Sequence, residues 1–376
     1  MKEKARYISA DLLRGLVIII MIEVHVFNAF LLPELRQAGW FGIVNFINGL
    51  VAPSFLFVSG FAFQVSSGGK LDEMRKLGRA FWKKIGRIFQ IIIIGYALHL
   101  PFYSLSKIIN EATPQLLESF FAVDVLQCIG FGLLFLFLTR LLIKSDKAYH
   151  YFLIGSLIVV TAISPLLWKI DFNQYVHPLV GNYFNRLNGS LFPIFPWLNF
   201  LQAGGIFAKY FVDARDRNEE ETFVKNIAIA GLVTLLLGHL FYSGLFPKTL
   251  TSILPNPVFF LQRLGYILVL FYLCWIVDRK TNAKNSVVMD ASRESLLVYW
   301  LHLIIIFGAF WGGKSLAGII GMTHSVLEAS IATIILIVAM IIAAKIWGWI
   351  KKKYPKYASI GVKVFIAVLL IVFIVS

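Results

Sequence analysis

Apolar residues occupy this chain in long blocks separated by short polar stretches. Runs able to cross a hydrocarbon core of about 30 Å begin near Asp11, Phe41, Lys83, Ser119, His150, Leu191, Thr222, Pro257, Asp290, Ser325 and Tyr357. Backbone polar groups within lipid must be satisfied inside the segment itself, so such runs read as helices. The pattern predicts an all-α fold: a polytopic transmembrane helix bundle of about eleven spans.

Composition agrees. Of 376 residues, 59% are hydrophobic and only 15% charged, against about 25% charged in an average soluble domain. The net charge of +15 would suit nucleic acid if it were spread over one surface. Instead, 27 of the 35 Lys and Arg fall in the N-terminal segment and in every second loop. By the positive-inside rule this places the N-terminus in the cytoplasm and the C-terminus outside, and it makes the charge an orientation signal with no nucleic-acid partner. Cys128 and Cys274 sit within apolar runs and read as small hydrophobes, with no disulfide framework and no metal motif. Asp11 and Arg14 interrupt what would be the apolar core of a cleavable leader, so the first run is expected to remain as a span. No repeat, low-complexity tract or linker divides the chain, and residues 1–376 are read as one domain.

The first run carries groups that lipid excludes. An ionisable side chain at the centre of a membrane helix costs roughly 2.5–3.5 kcal/mol, so its presence points to function. At about 100° per residue, Arg14 and His25 share one helix stripe, about 20° apart in angle and about 16 Å apart along the axis. Asp11 lies beside Arg14, and Glu23 projects from the opposite face. Further polar residues gather toward the outer half of the bundle: His99, Asp124, Gln127, Asn199, Gln202, His239, Gln262, Arg263, Tyr299 and His302. Gln127, Asn199 and Gln202 also suit hydrogen-bonded contacts between helices, and Arg263 also suits a side chain that reaches out to the interface.

Histidine is a general base or nucleophile at neutral pH, arginine holds anionic or carbonyl groups, and a carboxylate can fix the arginine. Such a set fits transfer of an activated group arriving from one side of the membrane to an acceptor on the other. It equally fits a proton-coupled carrier or a flippase for a sugar or lipid-linked precursor, because these also use histidine and carboxylate relays. The loop Gly68–Arg87 holds seven basic residues, among them Arg79, Lys83 and Lys84. Its charge serves orientation and anionic headgroups, or forms an electropositive mouth for a phosphorylated cytosolic donor. The loop Lys169–Ser190 is polar and aromatic and is placed to cover an acceptor.

Ordered segments narrow the choice. Arg6…Asp11-Leu-Leu-Arg14-Gly15-Leu followed by His25 is similar to the opening of integral-membrane acyltransferases. With Ala52-Pro53-Ser54-Phe55-Leu56-Phe57-Val58-Ser59-Gly60-Phe61, Val123-Asp124-Val125-Leu126-Gln127-Cys128-Ile129-Gly130, Phe192-Pro193-Ile194-Phe195-Pro196-Trp197, Gly204-Gly205 and Glu294-Ser295-Leu296-Leu297-Val298-Tyr299-Trp300-Leu301-His302, the chain resembles bacterial members of the heparan-α-glucosaminide N-acetyltransferase catalytic-domain family. The resemblance implies a multi-pass enzyme of a bacterial inner membrane that moves acetyl from cytosolic acetyl-CoA to a glucosamine-like or other cell-envelope sugar outside. It implies His25 as base or acyl carrier, with Arg14 and Asp11 beside it in the catalytic set. Asp124, Gln127, His302, Arg263 and Asn199 become expected acceptor contacts, and Arg14, Arg79, Lys83 and Lys84 expected donor contacts. No metal is implied.

Overall fold

The computed structural model describes residues 7–308 and 314–375. It is 81% helical, and among the described residues it contains no strand, only an isolated backbone bridge between Leu31 and His324. The eleven apolar runs all fall on helix. In chain order the long helices are α1 (Ile8–Phe30), α2 (Val51–Ser67), α3 (Arg79–Leu98), α4 (Val125–Leu142), α5 (Asp146–Leu167), α6 (Ile194–Asp216), α7 (Glu220–Leu240), α8 (Pro257–Lys280), α9 (Ser295–Phe307), α10 (Val326–Lys353) and α11 (Pro355–Val375). Seven helical stretches among the described residues are long and apolar enough to cross a membrane: Gly39–Ser67, which contains α2, then α4, α5, Glu220–Leu245, α8, α10 and α11. The multi-pass membrane class therefore stands.

Three boundaries differ from the sequence reading. The run starting at Ser119 is broken: a short helix, Pro114–Phe121, ends before Asp124, and α4 begins at Val125. Asp124 is thus the N-cap of α4, its carboxylate accepting the Val125 N–H at 2.7 Å, rather than a residue one turn before Gln127 on a helical face. The run starting at Asp290 is also divided, into Val287–Arg293 and the thirteen-residue α9. In α6 the helix is kinked between Pro193 and Pro196. Pro193 caps the helix and Phe195 has non-helical dihedrals, so the regular turns begin only after both.

Contacts group the helices into two compact units, one formed by the described chain up to Ser54 with Leu273–Val372, the other by Phe55–Tyr272. In the first, α1 packs against Val287–Arg293, α9 and α10. Leu13, Ile18 and Ile22 are fully buried there. The end of α1 is tied to the segment before α10, with the Leu32 N–H donating to the His324 carbonyl at 3.0 Å and the His324 N–H to that of Phe30 at 2.8 Å. Ser325 and Glu328 then cap α10 reciprocally.

In the second unit, α2 and α6 cross with backbones nearly touching. A Cβ on Gly60 would lie 1.9 Å from the Leu201 carbonyl oxygen, and one on Gly204 would lie 1.9 Å from that of Phe57. The crossing positions a ladder of Phe57, Phe61, Phe207, Phe211 and Phe271 beneath it. The loop between α5 and α6 is stapled to itself by amides: Asn188 and Gln174 donate to Asp171, and Asn185 donates to the carbonyls of Leu167 and Ile170.

Candidate active site

Arg14 stands one helical turn above Asp11 on α1, and their ion pair closes at 3.0 Å. Both are mostly shielded, with side-chain exposures of 26% and 12%. Asp11 lies in the first turn of α1, where a carboxylate meets the positive end of the helix dipole. Gly15 holds this turn in place. A Cβ there would meet the Val288 carbonyl oxygen at 2.1 Å, so only glycine lets Val287–Arg293 approach α1 so closely. Ser9 adds a tether, donating to Asp278 at 3.1 Å.

Farther along α1, His25 meets His302 of α9. The ring centroids are 5.0 Å apart, and His25 Nδ1 lies 3.1 Å from His302 Nε2. The surrounding bonds assign the protons. His302 Nδ1 lies 2.7 Å from the Val298 carbonyl one turn back, which can only accept, so His302 carries its proton on Nδ1 and offers the Nε2 lone pair. His25 Nδ1 lies 2.9 Å from the Met21 carbonyl and so also bears a proton, shared between that carbonyl and His302 Nε2. In neutral His25 the remaining lone pair is therefore on Nε2. Phe307 closes one edge of the His25 ring at 6.2 Å. His25 is half-buried, while His302 is wholly buried.

This changes the expected role of His302. It is wholly buried with both ring nitrogens engaged inside the protein, one of them against His25. Sequence spacing does not reveal a contact between residues 277 positions apart. Glu23, on the other face of α1, is half-buried, and its Oε1 has no hydrogen-bond partner among the described residues.

The remaining expected contacts belong to the second unit. Asp124 caps α4 and lies 3.4 Å from His99 Nε2 at the end of α3. Gln127, in the first turn of α4, is wholly buried against Gly95, and neither its amide oxygen nor its amide nitrogen has a hydrogen-bond partner. Nearby groups of this unit are paired, as in the 2.9 Å contact of the Tyr96 and Tyr183 hydroxyls. Asn199 is different: wholly buried on α6, it donates to Thr161 of α5 at 2.7 Å, as Gln202 does to Ser156. These two amides donate between helices, while the Asn199 and Gln202 amide oxygens have no hydrogen-bond partner among the described residues. Arg263 lies on α8 with its guanidinium 5.2 Å from the Phe259 ring centre.

Of the basic residues read as donor contacts, Arg79 and Lys83 are exposed one turn apart at the start of α3. Lys84 is committed elsewhere, donating to Ser66 at 2.5 Å and lying over the Phe63 ring at 4.5 Å, so that it ties α3 to α2. Among the described residues no group of three or more His, Cys, Asp or Glu side chains is arranged to hold a metal ion.

Residues 6–243 match the family described as heparan-alpha-glucosaminide N-acetyltransferase, catalytic. The chain belongs to that family. The match makes it a transmembrane acyltransferase by family and spans the segments bearing Asp11, Arg14, His25, Asp124, Gln127 and Asn199. Arg263 and His302 lie beyond it, and Arg6, where it begins, is outside the described residues. No curated protein matches the chain.

Proposed function

We propose that this acyltransferase moves acetyl from cytosolic acetyl-CoA to the amine or hydroxyl of a glucosamine-like cell-envelope sugar on the outer side of a bacterial inner membrane. The observation that supports the proposal is the placing of His25 Nδ1, 2.9 Å from the Met21 carbonyl and 3.1 Å from His302 Nε2; a proton held there makes Nε2 the basic nitrogen.

His25 Nε2 accepts the proton that the acceptor loses as its nitrogen or oxygen forms a bond to the thioester carbonyl. The carbon–sulfur bond then breaks, and the same proton leaves His25 for the departing thiolate. Charge on the imidazolium is met at Nδ1 by a neutral ring and a carbonyl, both already in place before the reaction. Arg14, braced by Asp11, supplies a fixed positive charge on the same stripe of α1, with Arg79 and Lys83 as the exposed cations for the donor's phosphates. Asp124, partly exposed at the start of α4, serves the acceptor by accepting a hydrogen bond from a sugar hydroxyl or amine.

The test is thiol release by the purified full-length protein in lipid nanodiscs with acetyl-CoA. Glucosamine-dependent appearance of free CoA, with acetylated sugar as co-product, supports the reading. Sugar movement across proteoliposomes with no thiol released would overturn it in favour of a carrier.

A further inference from the structure

Away from the α1 stripe, a cationic and phenolic cluster occupies one end of the α7–α8 pair. The two helices touch closely: a Cβ on Gly238 would lie 2.6 Å from the Gln262 side chain, and one on Gly231 would lie 2.8 Å from the Gly265 carbonyl oxygen. That approach brings His239 into a hydrogen bond with the Tyr266 hydroxyl, their rings 5.9 Å apart and nearly perpendicular. One turn from Tyr266 along α8, Arg263 stacks on Phe259, and Tyr242 follows His239 by three residues. Tyr242 belongs to Phe241–Leu245, where the helix widens to a π-turn and ends at Gly244 with φ +95.

The surroundings are apolar and exposed: Leu236, Leu240 and Leu245 from the α7 side, Leu254 and Leu261 from the α8 side. Arg263 lies six residues into α8, about 9 Å from its start. A guanidinium at that depth is costly in hydrocarbon, and a phosphate offsets the cost by accepting paired N–H bonds. Phenol and imidazole N–H or O–H groups add donors of the same kind. Donors grouped around one cation, within a collar of exposed leucines, match a headgroup phosphate with its acyl or prenyl chains alongside.

We propose that His239, Tyr242, Arg263 and Tyr266 form a binding site for the phosphate of a membrane lipid. The site does not depend on the acyltransferase reading and would exist on a carrier as well.

Native mass spectrometry of the full-length protein in non-ionic detergent tests it, with dioctanoyl phosphatidylglycerol against an uncharged dioctanoyl glycolipid of equal chain length. The wild type should retain the phosphate lipid at least about tenfold better, since a charge-assisted bidentate contact is roughly twice as strong as neutral ones. Arg263→Gln should remove that preference, Arg263→Lys should keep part of it, and Tyr266→Phe should weaken it a few-fold, each at an unchanged melting temperature. Equal retention of the two lipids by the wild type, or undiminished preference in a folded Arg263→Gln, would overturn the site. Inorganic phosphate displacing the lipid at equal concentration would overturn its assignment to a lipid and give the site to a soluble phosphate.

Discussion

The His25–His302 contact and the Asn199–Thr161 contact are both polar bridges between helices in a largely apolar chain, yet only one can do chemistry. Asn199 and Thr161 close on each other at 2.7 Å, and neither group titrates near neutral pH. His25 and His302 meet at 3.1 Å with the proton of one ring directed at the lone pair of the other. That bond joins two rings that titrate, one of them half-buried. Polarity within a membrane helix is therefore a poor guide to a site by itself. What separates chemistry from adhesion is a group able to exchange a proton near neutral pH.

The sharpest way to break the comparison is to remove that group. His25→Ala should lower acetyl transfer by about 10²–10⁴-fold, the range a positioned general base contributes, with the protein still extracted as a folded species. Retention of full thiol release would refute the site even with the family unchanged. His302→Leu comes next. It leaves His25 in place but deletes the acceptor for its Nδ1 proton, and should cost about ten- to a hundredfold in kcat with little change in KM for either substrate. His302→Gln, whose amide oxygen can accept the same proton, should recover part of the loss. If Leu and Gln behave alike, His302 serves only to fill space.

On the other side of the comparison, Asn199→Leu should leave kcat and KM close to wild type and lower stability by about 0.6–1.7 kcal/mol, the range for interhelical hydrogen bonds in membranes. Thermal unfolding in detergent and steady-state kinetics on one preparation decide it. A raised KM for the sugar would place Asn199 in the acceptor site and dissolve the distinction drawn from its bond to Thr161.

How much of this could be read from the chain follows the same division. The membrane class and the run positions were legible because lipid demands length and apolarity, which composition displays directly. The Arg14–His25 stripe was legible because helical periodicity is local, and the Asp11–Arg14 ion pair closes within one turn. The His25–His302 bond was not, since periodicity says nothing of which distant helix faces which. At the start of α4 the cap was legible, since an aspartate near the end of an apolar run is an N-cap pattern, but hydropathy averaging over Phe120–Cys128 hid the break itself. The near-contact of Gly60 with the Leu201 carbonyl was likewise unreadable, because a glycine in sequence does not show what it makes room for.

The smallest expected effect concerns the loop between α5 and α6, where polar contacts are neither chemistry nor membrane adhesion. Asn188 donates to the Asp171 carboxylate at 3.0 Å, with Gln174 and the Asn173 N–H adding to it, and together these hold the carboxyl below its ordinary range. A lowered folded value means the contribution to loop order is complete above the unfolded pKa, about 3.9. It is lost as pH falls through the folded value. Between neutral pH and about pH 5 the loop should therefore be indifferent to acid, and loosening should appear only below about pH 4. Hydrogen exchange of peptides within 169–190, corrected for intrinsic rate, would follow this, with Asp171→Asn as the comparison. The variant should exchange faster than wild type at neutral pH and show no further acid step, because the charge that the amides stabilise is gone. An acid step of equal size in both proteins would assign the order of the loop to its backbone contacts, such as those of Asn185 with the Leu167 and Ile170 carbonyls, and not to Asp171.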